Sequence, residues 1–149
     1  MKILGIDIGT TTITALLLDC ETKSVVKSCT LKNDSFIEGK SFEKLQNPAK
    51  IIETVKSAVN DVTADYTPDA IGITGQMHGI LYLDAEINPC SPLMIWQDER
   101  GNEMYSEEET YAQHLTRVTG IKAASGFGLT THFYNIKNLI EGMQSCKGV

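Results

Sequence analysis

Ile3-Leu4-Gly5-Ile6-Asp7-Ile8-Gly9-Thr10-Thr11-Thr12-Ile13-Thr14-Ala15-Leu16-Leu17-Leu18-Asp19 contains two apolar runs with a glycine and three threonines between them. Each run has the length and β-branched content of a strand, and so does Ser24–Leu31 further on. The punctuation is short: Gly9 to Thr12, then Cys20-Glu21-Thr22-Lys23. Gaps of that size can join only antiparallel neighbours, so three hairpin-connected strands are expected.

Outward from this start the pattern changes. Residues Lys32–Gln46 are polar and mixed and read as a loop or short edge structure. Asn47-Pro48 then sets a helix start, asparagine at the cap and proline in the first helical position. Ile51, Ile52, Val55, Ala58, Val59 and Val62 form one stripe of helical period, and Thr67-Pro68 stops it. Ala70–Thr74 reads as a strand, Gly75–Gly79 as a turn, Ile80–Leu83 as another strand, and Leu93–Trp96 as a further short one. A second helix is expected from about Gly101 to Thr119, on the stripe Met104, Tyr111, Leu115 and Val118. Glu103, Glu107, Glu108 and Glu109 crowd its early turns, where acids suit the helix dipole, and Gly120 stops it. Ser125–Gly128 reads as loop, and Phe133, Ile136, Leu139 and Ile140 begin a third helix. Residues Met143–Val149 carry no pattern. Strands, then helix, strand and helix, give an α/β fold: a mixed sheet that starts with three antiparallel strands and is flanked by helices. Two or three helices for five or six strands leave sheet unclothed, as in a truncated domain.

The 149 residues suffice for one domain with a sizeable core. A formal charge of −6 argues against a nucleic-acid partner. No apolar run reaches membrane-span length and no secretory leader is evident, so no membrane partner and a cytoplasmic location are expected. Cys20, Cys29, Cys90 and Cys146 lack CxxC spacing, which supports neither zinc nor a disulfide framework and fits buried thiols better.

Three segments have the residue types that chemistry needs. In Gly5–Thr12, a carboxylate inside an apolar strand needs a partner or a strand end in a cleft. Gly9 permits close approach, and Thr10, Thr11 and Thr12 offer hydroxyls and consecutive amides: an anion cradle beside a magnesium-facing Asp7. Taken alone, the segment is more simply a common Gly-Thr hairpin turn with a solvent-facing aspartate. Neither a Walker lysine motif nor GxGxxG is present. In Gly75–Gly79, Gln76 and His78 can bond sugar hydroxyls and Met77 can pack on a sugar's carbon face. A β-turn with a surface histidine is the simpler account of that loop on its own. In Trp96-Gln97-Asp98-Glu99-Arg100, a stacking ring precedes alternating acid and base. A core tryptophan beside a helix capped by Asp98 would explain it too.

GIDIGTTTITALLLD resembles the first phosphate motif of the actin, hexokinase and heat-shock-chaperone ATPases, whose ribonuclease H-like core begins with three antiparallel strands. With GQMHG and WQDER in this order, the chain resembles the N-terminal part of the FGGY carbohydrate kinases from about Ile3 to Leu139. GQMHG is similar to the xylulokinase version of the substrate loop, where glycerol kinases have an Arg-Glu pair, and SGFGLTTHFYNIKNL is similar to sedoheptulokinase-like members. The resemblance implies an actin/hexokinase-like N-terminal domain, truncated, with residues 1–149 forming a portion of the first kinase domain. It implies ATP and Mg2+ as cofactors, with Asp7 facing metal and phosphates and Gly9, Thr10, Thr11 and Thr12 turning around the phosphates. Gln76, Met77, His78, Trp96, Asp98 and Arg100 are implied on the side of a ketose substrate, xylulose- or sedoheptulose-like. The family's catalytic base, an aspartate later in the first domain, has no counterpart in these residues. The expected partner is therefore the missing C-terminal portion of the kinase, and the isolated chain is expected to be inactive. Uncovered strand edges make a homodimer possible. A non-catalytic ketose-binding module or an interaction domain is the alternative.

Overall fold

The computed structural model describes residues 1–138 and 140. In chain order its elements are β1 (Lys2–Ile8), β2 (Thr12–Asp19), β3 (Ser24–Lys32), β4 (Phe36–Ile37), β5 (Leu45–Gln46), α1 (Pro48–Thr63), β6 (Ala70–Gly75), β7 (Leu93–Met94), a short 3-10 turn (Arg100–Asn102), α2 (Tyr111–Thr119) and α3 (Gly128–Lys137). They form two compact units, Met1–Ser35 with Ala49–Gln76, and Phe36–Pro48 with the chain from Met77 onward.

In the first unit the sheet order is β3-β2-β1-β6. The two hairpins are antiparallel, as the short gaps require, and β6 joins β1 in parallel after the α1 crossover. The helical stripe has its expected target: Ala58 and Val62 pack with Leu4, Ile6 and Ala15 into one buried cluster, bordered by Val55 and Val59. Ile52 falls off that stripe and is exposed. Pairing in register puts Ile71 beside Leu4 and Ile73 beside Ile6 on one face of the sheet. That face is covered at β1 but open at β6, where Ile71 and Ile73 are 61% and 70% exposed.

In the second unit β4, β5 and β7 make a small antiparallel sheet. The loop expected at Lys32–Gln46 thus contributes two short strands. The strand expected at Ile80–Leu83 does not form. Ile80 bridges Met94 and Leu83 bridges Pro89 only singly. Tyr82 gives its amide to the Ser91 hydroxyl at 3.1 Å, which diverts it from a ladder. The helix expected over Gly101–Thr119 is likewise shorter. Thr110 starts α2 with a capping box, its Oγ1 accepting from the Gln113 amide and the Gln113 side chain accepting from the Thr110 amide. Ahead of it, the amides of Tyr105 and Ser106 both donate to the Glu109 carbonyl. The glutamate run is therefore a turn, and Met104 is 58% exposed instead of lying in a core stripe. α3 starts at Gly128, earlier than Phe133, because Thr130 and Thr131 are buried in its first turn. Leu139 and residues 141 to 149, Cys146 included, lie outside the described residues.

Cys20 and Cys29 are free, half-buried thiols, whereas Cys90 is disulfide-bonded, contrary to the sequence expectation. Among the described residues no helix is long and apolar enough to cross a membrane.

Candidate active site

The turn between β1 and β2 closes through Gly9, whose amide donates to the Thr12 carbonyl at 2.9 Å. A Cβ at Gly9 would lie 2.8 Å from that carbonyl oxygen, so a side chain would force the turn open. Asn33, just beyond β3, is 2% exposed and clamps both arms of the turn. Its backbone amide donates to the Thr11 carbonyl at 2.8 Å and its Nδ2 to the Gly9 carbonyl at 2.9 Å. Gln76 follows β6 and sits at the same place, its amide donating to the Ile8 carbonyl and its Oε1 accepting from the Thr10 hydroxyl at 2.9 Å. Asp7, Gly9 to Thr12 and Gln76, separated in sequence, are thus brought together by the parallel pairing of β1 and β6.

Asp7 lies near the end of β1, opposite Thr14 on one side and Thr74 on the other. Its carboxylate is exposed and has no hydrogen bond or ion pair among the described residues. It edges an open depression of about 370 Å3 floored by Gly5 and Gly72, where the bare backbone lets another group approach closely. No group of three or more histidine, cysteine or acidic side chains could hold a metal among the described residues. Magnesium does not need such a group, because it keeps several waters and takes one or two carboxylates plus phosphates. A partnerless carboxylate next to a glycine-closed, hydroxyl-rich turn fits that requirement.

In the second unit, Met77 is 71% exposed and His78 is also exposed, with its backbone in the left-handed region at φ 65°. The imidazole lies face to face with the Phe127 ring, centroids 4.4 Å apart and planes within 13°. Trp96 is 49% exposed. Asp98 and Arg100 differ from it: both are buried, and they bond each other. The Asp98 carboxylate accepts from Arg100 Nε at 2.6 Å and Nη2 at 3.0 Å, and from the Lys44 amide at 3.1 Å. Arg100 also donates to Asn135, whose Nδ2 donates to the Tyr82 hydroxyl at 3.1 Å. Tyr82 in turn shares a 2.9 Å bond with His132 Nδ1. Burial pushes the Tyr82 phenol up, which keeps the proton on this network.

Sequence reasoning missed Asn33, Phe127 and the Tyr82–Asn135–His132 chain. Asn33 gave no signal, being one polar residue in a polar stretch. Phe127 had one, since the glycines beside it allow two backbones to approach. Gly126 has φ 81°, and a Cβ there would run into the Trp96 carbonyl oxygen. A Cβ at Gly128 would lie 3.1 Å from the Gly79 carbonyl oxygen.

The first unit thus presents a glycine-closed, hydroxyl-rich turn next to a carboxylate unpartnered among the described residues, and the second an exposed turn that carries Met77 and His78. Residues 2–133 match the model of the FGGY family of carbohydrate kinases, N-terminal domain, and the chain belongs to that family. It is 29% identical over 132 residues to the xylulose kinase of Lactococcus lactis, covering 85% of this chain and 26% of that protein. It is 27% identical over 168 residues to the sedoheptulokinase of Mus musculus, covering 95% of this chain and 34% of that protein. Its fold is similar to the crystal structure of a xyloylose kinase from Brucella ovis, with a TM-score of 0.82 and 25% identity. That match covers 99% of this chain and 31% of the other, and the fold is the actin/hexokinase-like one of the FGGY sugar kinases. The chain therefore spans about a quarter to a third of the length of the relatives it matches.

Proposed function

We propose that the chain is the N-terminal portion of the first domain of a cytoplasmic, ATP-dependent ketose kinase that transfers the γ-phosphoryl group to a hydroxyl of a xylulose- or sedoheptulose-like sugar. The observation that carries this reading is the free carboxylate of Asp7 beside the turn that Gly9 closes and Gln76 braces through Thr10. Phosphoryl transfer relies on positioning and charge stabilisation more than on covalent help from the protein. In this reading Asp7 would hold the Mg2+, which when bound supplies neutralising charge to the phosphates. The amides and hydroxyls from Gly9 to Thr12 cradle the phosphates. Met77, His78 and Trp96 face the ketose, and Asp98 and Arg100 hold the Trp96 loop in shape from below. Support for a ketose comes from the xylulose kinase and sedoheptulokinase relatives.

A kinase site also needs a base and a second wall that excludes water. Neither is assigned to residues of this chain, so the reading includes the rest of the kinase as partner and an inactive isolated chain. The test is ADP release from ATP and Mg2+ in the presence of D-xylulose or sedoheptulose. It is run on the 149-residue chain and on the longer protein, with and without Asp7→Ala. Sugar-dependent ADP release by the longer protein alone, abolished by Asp7→Ala, is the expected result. Release by the short chain, or a longer protein indifferent to Asp7, would sink it.

A further inference from the structure

The Ser125–Gly128 loop has no role in the phosphate and sugar assignments above, yet three contacts fasten it beside both sugar-side loops. The Ser125 hydroxyl donates to the Asp98 carbonyl at 3.0 Å. Gly126 lies against the Trp96 carbonyl, and Gly128 against the Gly79 carbonyl. The side chain held between those last two points is Phe127, stacked on His78.

His78 is a poor choice for an unsupported position. A non-glycine residue at φ 65° is strained, and such backbone persists where its surroundings hold it. An imidazole on an exposed turn also turns freely, so its two nitrogens, which lie in the ring plane, would sweep through many directions. A parallel ring at 4.4 Å removes that freedom. It covers one face, leaves both nitrogen-bearing edges open, and resists rotation of the imidazole out of plane. Phe127 is itself 39% exposed, so little of its area is spent on core packing.

We infer that Phe127 is a positioning residue: its ring sets the plane of the His78 imidazole and so decides which hydroxyls of a bound ketose the histidine can reach. This rests on the reading of His78 as a sugar contact. The loop from Ser125 to Gly128 is then a third sugar-side element that acts through His78.

The experiment is NMR of the histidine ring protons in the 149-residue chain, which has three histidines, with D-xylulose as the titrant. In the unaltered protein the His78 ring protons are expected upfield of their usual position, because they lie over the Phe127 face, and D-xylulose is expected to move them. Phe127→Leu should abolish the upfield shift and weaken D-xylulose by about three- to tenfold, the range a lost ring–ring contact gives. Phe127→Tyr keeps the stack and should restore both. His114, parallel to Phe133 within 3°, reports folding in every variant. An upfield shift lost without change in D-xylulose affinity overturns the positioning role, as does lost affinity in Phe127→Tyr with the shift intact. A His78 signal that is stacked but indifferent to D-xylulose overturns the sugar reading beneath it, and the two failures are told apart by that signal.

Discussion

Replacing Asp98 by alanine tests the frame on which the Trp96–Arg100 segment rests. The side chains of Asp98 and Arg100 are 0% and 2% exposed, and the carboxylate answers two of the guanidinium's nitrogens as well as the Arg100 and Lys44 amides. In Asp98→Ala the guanidinium keeps Asn135 and a longer contact to Glu43 at 3.6 Å, and loses its only bidentate partner among the described residues. Breaking a buried ion pair from one side costs about 3–5 kcal/mol, since an uncompensated charge is left inside. For a chain of this size each kcal/mol moves the midpoint by about 2–4 °C, so a fall of roughly 6–20 °C is expected. Urea unfolding followed by the fluorescence of Trp96, the single tryptophan, reads the same loss close to the site. The double variant Asp98→Leu with Arg100→Met removes both charges and should recover at least half of it, as apolar replacements of buried pairs commonly do. A loss below about 1 kcal/mol in Asp98→Ala would mean that the pair is hydrated in solution, and the frame argument would fall.

Three further outcomes are expected. Gly126→Ala combines a φ of 81° with a clash against the Trp96 carbonyl; it should destabilise by more than about 2 kcal/mol or prevent folding, checked by urea titration. Asn33→Ala removes the bond to the Gly9 carbonyl and should cost about 1–3 kcal/mol in the same titration, while weakening any nucleotide binding by the Thr10–Thr12 turn. Hydrogen bonds from Arg117 and then His114 hold the Glu109 carboxyl down to about 2. Because this folded-state value is depressed, the stabilisation is present above the ordinary glutamate range and is lost as pH falls toward about 2. Glu109→Gln should flatten the acid limb of a stability–pH curve in that window; an unchanged limb would contradict the assignment.

The first unit was legible in the sequence because its signals are periodic and unopposed. Apolar runs with four-residue gaps permit little besides hairpins, and the stripe from Ile51 to Val62 finds Leu4 and Ile6 waiting. The glutamates from 107 to 109 misled because acids beside apolar residues look helical, while what governs them is the side-chain cap at Thr110 and the reach of Glu109 to Arg117. At the site, Asp7 and Gly9 announce themselves by being out of place in a strand. The burial of Asp98 and Arg100 does not, since charged residues read as surface until a partner such as Asn135 arrives from another helix. Asn33 is invisible for the same reason: its importance lies in two carbonyls elsewhere in the chain.

The parallel pairing of β6 with β1 has a consequence for the order in which the molecule assembles. The hairpins join near neighbours in sequence, but the bond from the Lys2 amide to the Asp69 carboxylate spans 67 residues. Closing so long a loop is slow, and its entropy is spent before any contact is returned. β6 should therefore dock onto a preformed three-stranded meander, with changes in β6 speeding unfolding more than they slow folding. Because Gln76 directly follows β6, the Gly9–Thr12 turn acquires its last brace in the same late step. During synthesis, the final geometry of the Gly9–Thr12 turn would wait until the polypeptide well past Gln76 has left the ribosome.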